Sequence, residues 1–84
     1  MKTYPDLDTM HENFRINLNN LIYIKHLTIG DLAKQCNVSV RLIYNYTSKT
    51  QRLNCLMPNS IFLLKVADFF QVNPYDLLLT KMRF

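Results

Sequence analysis

The chain has 84 residues, and compact domains commonly run to about 100–150, so one domain over residues 1–84 is expected and a two-domain enzyme is excluded. Hydrophobic residues make up 49% of it and charged ones 19%, with a single glycine: enough apolar material for a core, against disorder, and too little turn chemistry for a sheet-rich fold. The formal charge of +4 is unevenly spread, because residues 13–57 carry Arg15, Lys25, Lys34, Arg41, Lys49 and Arg52 against Asp31 alone, while Asp6, Asp8 and Glu12 make the N-terminal stretch acidic. That asymmetry suits a polyanion-binding face between residues 25 and 52; a solvated lysine surface gives the same count.

Residues 1–8 read as a short acidic arm without the apolar core of a signal peptide, and no apolar run is long enough to span a membrane, so the expectation is a cytoplasmic protein with no membrane partner. Thr9 followed by Glu12 reads as a capping box opening a first helix from about Met10 to Lys25. On it Phe14, Leu18, Leu21 and Ile22 fall on one arc, with Arg15, Asn17, Asn19 and Asn20 facing elsewhere. Ile16 and Tyr23 lie off that arc, as a second core contact or as a partner surface.

Thr28 with Asp31 repeats the start signal for a short second helix from about Ile29 to Cys36, with Leu32 and Ala33 inward. Asn37, tolerant of the left-handed conformation, stops it, and Ser39 caps a third helix almost at once. Two short helices joined by about three residues, over about 28–48, form a helix-turn-helix layout. At about 100° per residue, Val40, Arg41, Tyr44, Asn45 and Ser48 fill an outward arc of roughly 140° on the third helix, opposite Leu42, Ile43 and Tyr46.

Residues from about 48 to 58 have no clear period and read as a loop, with Leu53, Leu56 and Met57 as its apolar members. Asn59 or Ser60 caps a strongly apolar fourth helix from Ile61 to Phe70, and Asn73 with Pro74 opens a fifth, buried through Leu77, Leu78 and Leu79, so that the last two helices occupy about 59–80. The fold class is all-α, a compact domain of five helices.

Chemistry-bearing constellations are sparse. Cys36 and Cys55 form no CxxC pair, and His11, His26, Cys36 and Cys55 match no zinc-finger spacing, so neither a metal nor a cofactor is expected. The chain shows no paired-carboxylate cleft, no Ser/His/Asp or Cys/His grouping and no glycine-rich phosphate loop, which argues against an enzyme. The outward face of the third helix is the strongest signal. An arginine there can grip guanine and an asparagine adenine, each contact discriminating by about 1–3 kcal/mol, although ordinary exposed residues on a short helix would give the same wheel.

The stretch from Ile29 to Tyr46, with Ala33, Val38, Ile43 and Tyr46 at inward positions, resembles the helix-turn-helix of the lambda-repressor-like, Cro/repressor-type (XRE) DNA-binding family. The segment from Leu64 to Leu78 is similar to that family's fourth and fifth helices, so the resemblance covers about residues 11–79. It implies a sequence-specific transcriptional regulator of double-stranded DNA, a small repressor of the kind carried by phages and mobile elements, acting by operator occupancy. By the same carry-over Val40, Arg41, Tyr44 and Asn45 meet base edges, and Ser39, Ser48, Lys49, Arg52, Asn59 and Ser60 meet the backbone. A homodimer on two half-sites is implied, with Leu78, Leu79, Met82 and Phe84 as its interface.

Three features depart from the family pattern. Ile29 stands where Gln commonly opens the second helix, His26 and Asn37 stand where Gly is common, and the loop before the fourth helix is about five residues longer than usual. The change at His26 and Asn37 is tolerable, since both residue types are enriched at positive φ, but the missing Gln at Ile29, the modest charge of +4 and the apolar loop support the competing expectation of a protein-interaction module on the same fold, an antirepressor or antitoxin, reaching a protein partner through loop 49–57.

Overall fold

The computed structural model describes residues 6–48 and 60–81, and these form five helices and no strands: α1 (Leu7–Ile24), α2 (Ile29–Cys36), α3 (Val40–Thr47), α4 (Ser60–Phe70) and α5 (Pro74–Leu79). The all-α architecture expected from the sequence is what these residues build. No described helix is long and apolar enough to cross a membrane.

The start of α1 differs from expectation. Asp6, not Thr9, is the N-cap, its carboxylate accepting the Thr9 amide at 2.7 Å, and the Met10 amide already donates to the Asp6 carbonyl at 3.0 Å. The helix therefore begins at Leu7, earlier than Met10, and takes in part of the segment read as an arm. Glu12 leaves the expected capping box and pairs with Arg15 instead, at 3.1 and 2.6 Å. A charged, bidentate partner outcompetes a single backbone amide for that carboxylate.

The starts of α2, α3 and α5 follow the sequence, whereas α4 begins at Ser60, one residue before the expected Ile61. Thr28 and Asp31 form a reciprocal capping box on α2, Ser39 accepts from the Leu42 amide at 3.1 Å to open α3, and Asn73 accepts from the Tyr75 amide at 2.8 Å ahead of Pro74. Three helix ends share one device. His26, Asn37 and Gln71 take left-handed φ of 56°, 55° and 57°, and the next residue donates back five positions: Leu27 to Ile22, Val38 to Ala33, and Val72 to Ala67, at 2.9–3.0 Å. Leu27, Val38 and Val72 then pack against the core. This is the Schellman arrangement without glycine.

The core gathers Phe14, Leu18 and Leu21 from α1; Leu32, Ala33 and Cys36 from α2; Ile43 from α3; Phe62, Val66, Ala67 and Phe70 from α4; and Leu77 and Leu78 from α5. Ile22, expected on the inner arc, is half-buried at its edge; Ile16 is half-buried and Tyr23 exposed. Two asparagines expected to face outward or left unassigned are core residues. Asn17 has no exposed surface and Asn13 almost none, and their amides donate to carbonyls at the end of α5: Asn13 to Leu78 at 2.9 Å, Asn17 to Leu77 at 3.0 Å and to Thr80 at 2.8 Å. Helix ends leave carbonyls without intrahelical partners, and α5, six residues long, needs them satisfied from outside.

Candidate nucleic-acid interface

The α2–α3 unit displays the candidate face. Asn37 turns the chain in its left-handed conformation, and three residues, Asn37 to Ser39, separate the two eight-residue helices. Inward, Ile43 is fully buried and Leu42 and Tyr46 pack against the core. The Tyr46 ring lies nearly parallel to Phe62 with centroids 5.4 Å apart, and meets Phe14 edge-on at 5.6 Å and His11 at 6.0 Å. Aromatic contacts of this geometry add about 0.5–1.5 kcal/mol each beyond area burial, so α1 and α4 grip α3 from behind.

Outward, Val40 and Tyr44 are 52% and 53% exposed, Arg41 is exposed, and Asn45 and Ser48 are half-buried. Of the five side chains expected on one outward arc, Val40, Arg41 and Tyr44 are thus exposed on α3, Asn45 is only partly so, and Ser48 is the half-buried C-cap beyond the helix. Ser39 is exposed at the N-terminus of α3, where its hydroxyl oxygen serves as the cap acceptor, and Ser60 is exposed as the first residue of α4. Lys49, Arg52 and Asn59 lie outside the described residues, as does loop 49–57.

Charge in the central segment is less uniform than the sequence count implies. Among the described residues between 13 and 57, Lys25, Lys34 and Arg41 are exposed cations, whereas Arg15 is half-buried and committed to Glu12. That pairing holds the Glu12 carboxyl below its ordinary range, chiefly through the hydrogen bond, and raises the Arg15 guanidinium for the same reason. Asp31, the one acid in residues 13–57, is spent on the α2 cap, accepting from the Thr28 amide at 3.3 Å. Lys65 reaches the Asn37 carbonyl at 3.5 Å.

The expected dimer residues divide. Leu78 is buried in the chain's own core and Leu79 is half-buried against it, so Leu78 is occupied in holding α5 to the bundle; Met82 and Phe84 lie outside the described residues. The exposed apolar side chains lie elsewhere, with Ile61 and Leu64 on α4 at 62% and 57%, one turn apart.

Cys36 is buried, and burial pushes its thiol up. A thiol held protonated is a core side chain rather than a nucleophile. No group of three or more His, Cys, Asp or Glu able to hold a metal occurs among the described residues.

One residue near α3 was missed by periodicity. Asn19 donates one amide hydrogen to the Arg15 carbonyl at 2.9 Å and the other to the Thr47 carbonyl at 3.0 Å, joining α1 to the end of α3. Its sequence signal is no more than an asparagine within a helix, where asparagine is a poor helix former and must be held by some other benefit. Comparison with protein-family models, curated proteins and solved structures returned no match for this chain.

Proposed function

We propose that the chain is a sequence-specific double-stranded DNA-binding protein, with α2 and α3 as its helix-turn-helix and α3 as the helix that enters the major groove. The observation that carries this reading is the outward face of α3: Val40, Arg41 and Tyr44 exposed together, Asn45 and Ser48 beside them, on a helix fixed from behind by Ile43 and Tyr46. That set combines a bidentate cation, an amide, hydroxyls and a methyl-bearing side chain, the chemistry that distinguishes base pairs in the major groove. The short, left-handed turn at Asn37 supports it further, because the same residues resemble the turn of the lambda-repressor-like family.

In this reading Arg41 grips a guanine edge, Asn45 an adenine edge, and Val40 and Tyr44 make apolar and hydroxyl contacts between them. The N-termini of α3 and α4, with Ser39 and Ser60, and the cations Lys34, Lys49 and Arg52 meet phosphates and set register rather than sequence. Occupancy of an operator by such a domain blocks transcription sterically. A homodimer suits paired half-sites about 34 Å apart.

The competing reading is a protein-interaction module, favoured by Ile61 and Leu64 standing exposed a turn apart on α4. Fluorescence anisotropy of a labelled random-sequence duplex at about 50 and 200 mM salt separates the two. DNA binding predicts an affinity that falls steeply with salt, with a shallower slope for Lys34→Ala. No binding at either salt overturns the proposal and favours the module.

A further inference from the structure

We infer that the outer face of α4 is where two copies of this chain meet, antiparallel across a twofold axis, with Ile61 and Leu64 packing and Lys65 pairing with the partner's Asp68. The inference deepens the DNA-reading proposal above and rests on that reading for the use of the dimer on paired half-sites. Leu78, expected at the dimer interface, is occupied in the chain's own core. Ile61 and Leu64 are instead the two most exposed aliphatic side chains among the described residues.

At about 100° per residue, Ile61, Leu64, Lys65 and Asp68 share one side of α4, at i, i+3, i+4 and i+7, away from the buried Val66 and Phe70. Polarity changes along that side, from an apolar first turn to a cation and then an anion. Neither charge is neutralised within the chain. Among the described residues the Asp68 carboxylate has no hydrogen-bond or ion-pair partner, although Lys65 stands one turn away. The Lys65 ammonium makes one long hydrogen bond, to the Asn37 carbonyl at 3.5 Å, and an ammonium carries further donors.

A face of this kind complements itself. A twofold interface presents the same patch from both sides, so that residue i meets j and j meets i. With the axis passing between Lys65 and Asp68, each Lys65 meets the partner's Asp68, and one operation makes both ion pairs. The same register sets Leu64 against the partner's Phe69 and Ile61 against the partner's Val72, residues that are half-buried at the edge of the core. A parallel pairing would set Lys65 against Lys65 and Asp68 against Asp68, like charges that oppose association. Charge therefore selects a second, antiparallel copy. No residue of this face belongs to α3, whose outward side stays open. A surface this small gives a weak dimer, which paired half-sites would draw together.

The test is sedimentation equilibrium of the full chain up to about 500 µM, where weak interfaces become populated, with melting temperatures to show that each variant is folded. Wild type is expected to pass from monomer to dimer as concentration rises, and Leu64→Glu to weaken the dimer by about tenfold or more. Lys65→Glu and Asp68→Lys, each of which sets like charges opposite one another, should each weaken it by about tenfold, and the two combined should return it to within about threefold of wild type. That recovery is not expected if Lys65 serves only to hold the Asn37 carbonyl. A wild type that stays monomeric, an undiminished dimer in Leu64→Glu, or a combined variant no better than the single ones overturns the inference, and the first of these gives the face to an occupant other than a second copy. Fluorescence anisotropy on the duplex that wild type selects tests the DNA reading separately: Leu64→Glu should keep its preference on a single half-site and lose affinity for the paired site. A wild type that dimerises as stated and selects no duplex overturns the DNA reading and leaves the interface standing.

Discussion

The amide of Asn17 donates to the Leu77 carbonyl at 3.0 Å from a side chain with no exposed surface, and so ties the end of α5 to the middle of α1. The same amide reaches the Thr80 carbonyl at 2.8 Å. An apolar replacement of similar size leaves those carbonyls buried without a donor, which costs about 1–3 kcal/mol. Asn17→Leu is therefore expected to lower stability by about that amount despite its greater hydrophobicity. Urea unfolding of wild type and variant measures it; an unchanged or raised midpoint would show that the carbonyls find water instead.

The left-handed helix ends give a second expectation. A residue with a Cβ pays about 1–2 kcal/mol at such a φ, somewhat less for asparagine, and glycine pays none. His26→Gly should stabilise the chain by about 0.5–1 kcal/mol, and Asn37→Ala should destabilise it by about 1 kcal/mol. Thermal melts read both, and a destabilised His26→Gly would mean that unfolded-state entropy outweighs the relief.

Gly30, the sole glycine, lies at an exposed position inside α2 where it is not required. A Cβ there would meet only the Thr28 hydroxyl oxygen, at an ordinary 3.7 Å, and its φ is not left-handed. Gly30→Ala should raise stability by about 0.5–1 kcal/mol through helix propensity. A fall in melting temperature would contradict the geometry assigned to α2.

Acid stability should depend on α1. The Thr9 amide holds the Asp6 carboxyl below its ordinary value, and Arg15 holds Glu12 below its own. Groups lowered in the folded state contribute stability that is complete above their unfolded values and is lost as pH falls through the folded ones, so the loss runs from about pH 5 downward. Glu12 is about half exposed, and solvent screening limits its pair with Arg15 to about 0.3–0.5 kcal/mol. Urea midpoints between pH 7 and 3 should fall further for wild type than for Glu12→Gln; parallel curves would show the ion pair to be without effect.

Most of the architecture was legible because it rests on local chemistry. Thr28 with Asp31, Ser39, and Asn73 before Pro74 act within three residues of themselves, so their spacing alone marks where α2, α3 and α5 begin. The start of α1 was misread because two acceptors compete there: Thr9 with Glu12 looks like a capping box, but Asp6 takes the Thr9 amide and Arg15 takes Glu12. Asn13, Asn17 and Asn19 escaped for a different reason. Their partners lie 65, 60 and 28 residues away, so nothing local distinguishes them from solvated asparagines. Gln71 likewise adopts a left-handed φ that no turn residue announces. The exposed arc of α3 was readable from the wheel, whereas the commitment of Arg15 to Glu12 and of Leu78 to the core depends on tertiary packing.

The central claim is that Arg41 and its neighbours on α3 read bases, and the most direct test is selection from a random duplex pool by wild type and by Arg41→Ala, at about 50 and 200 mM salt. Wild type is expected to enrich one site, built as paired half-sites, at both salts, and Arg41→Ala to lose the preference at the contacted base pair by about 1–3 kcal/mol while still binding duplex at low salt. No enrichment by wild type, or an enriched site identical for Arg41→Ala, would contradict it.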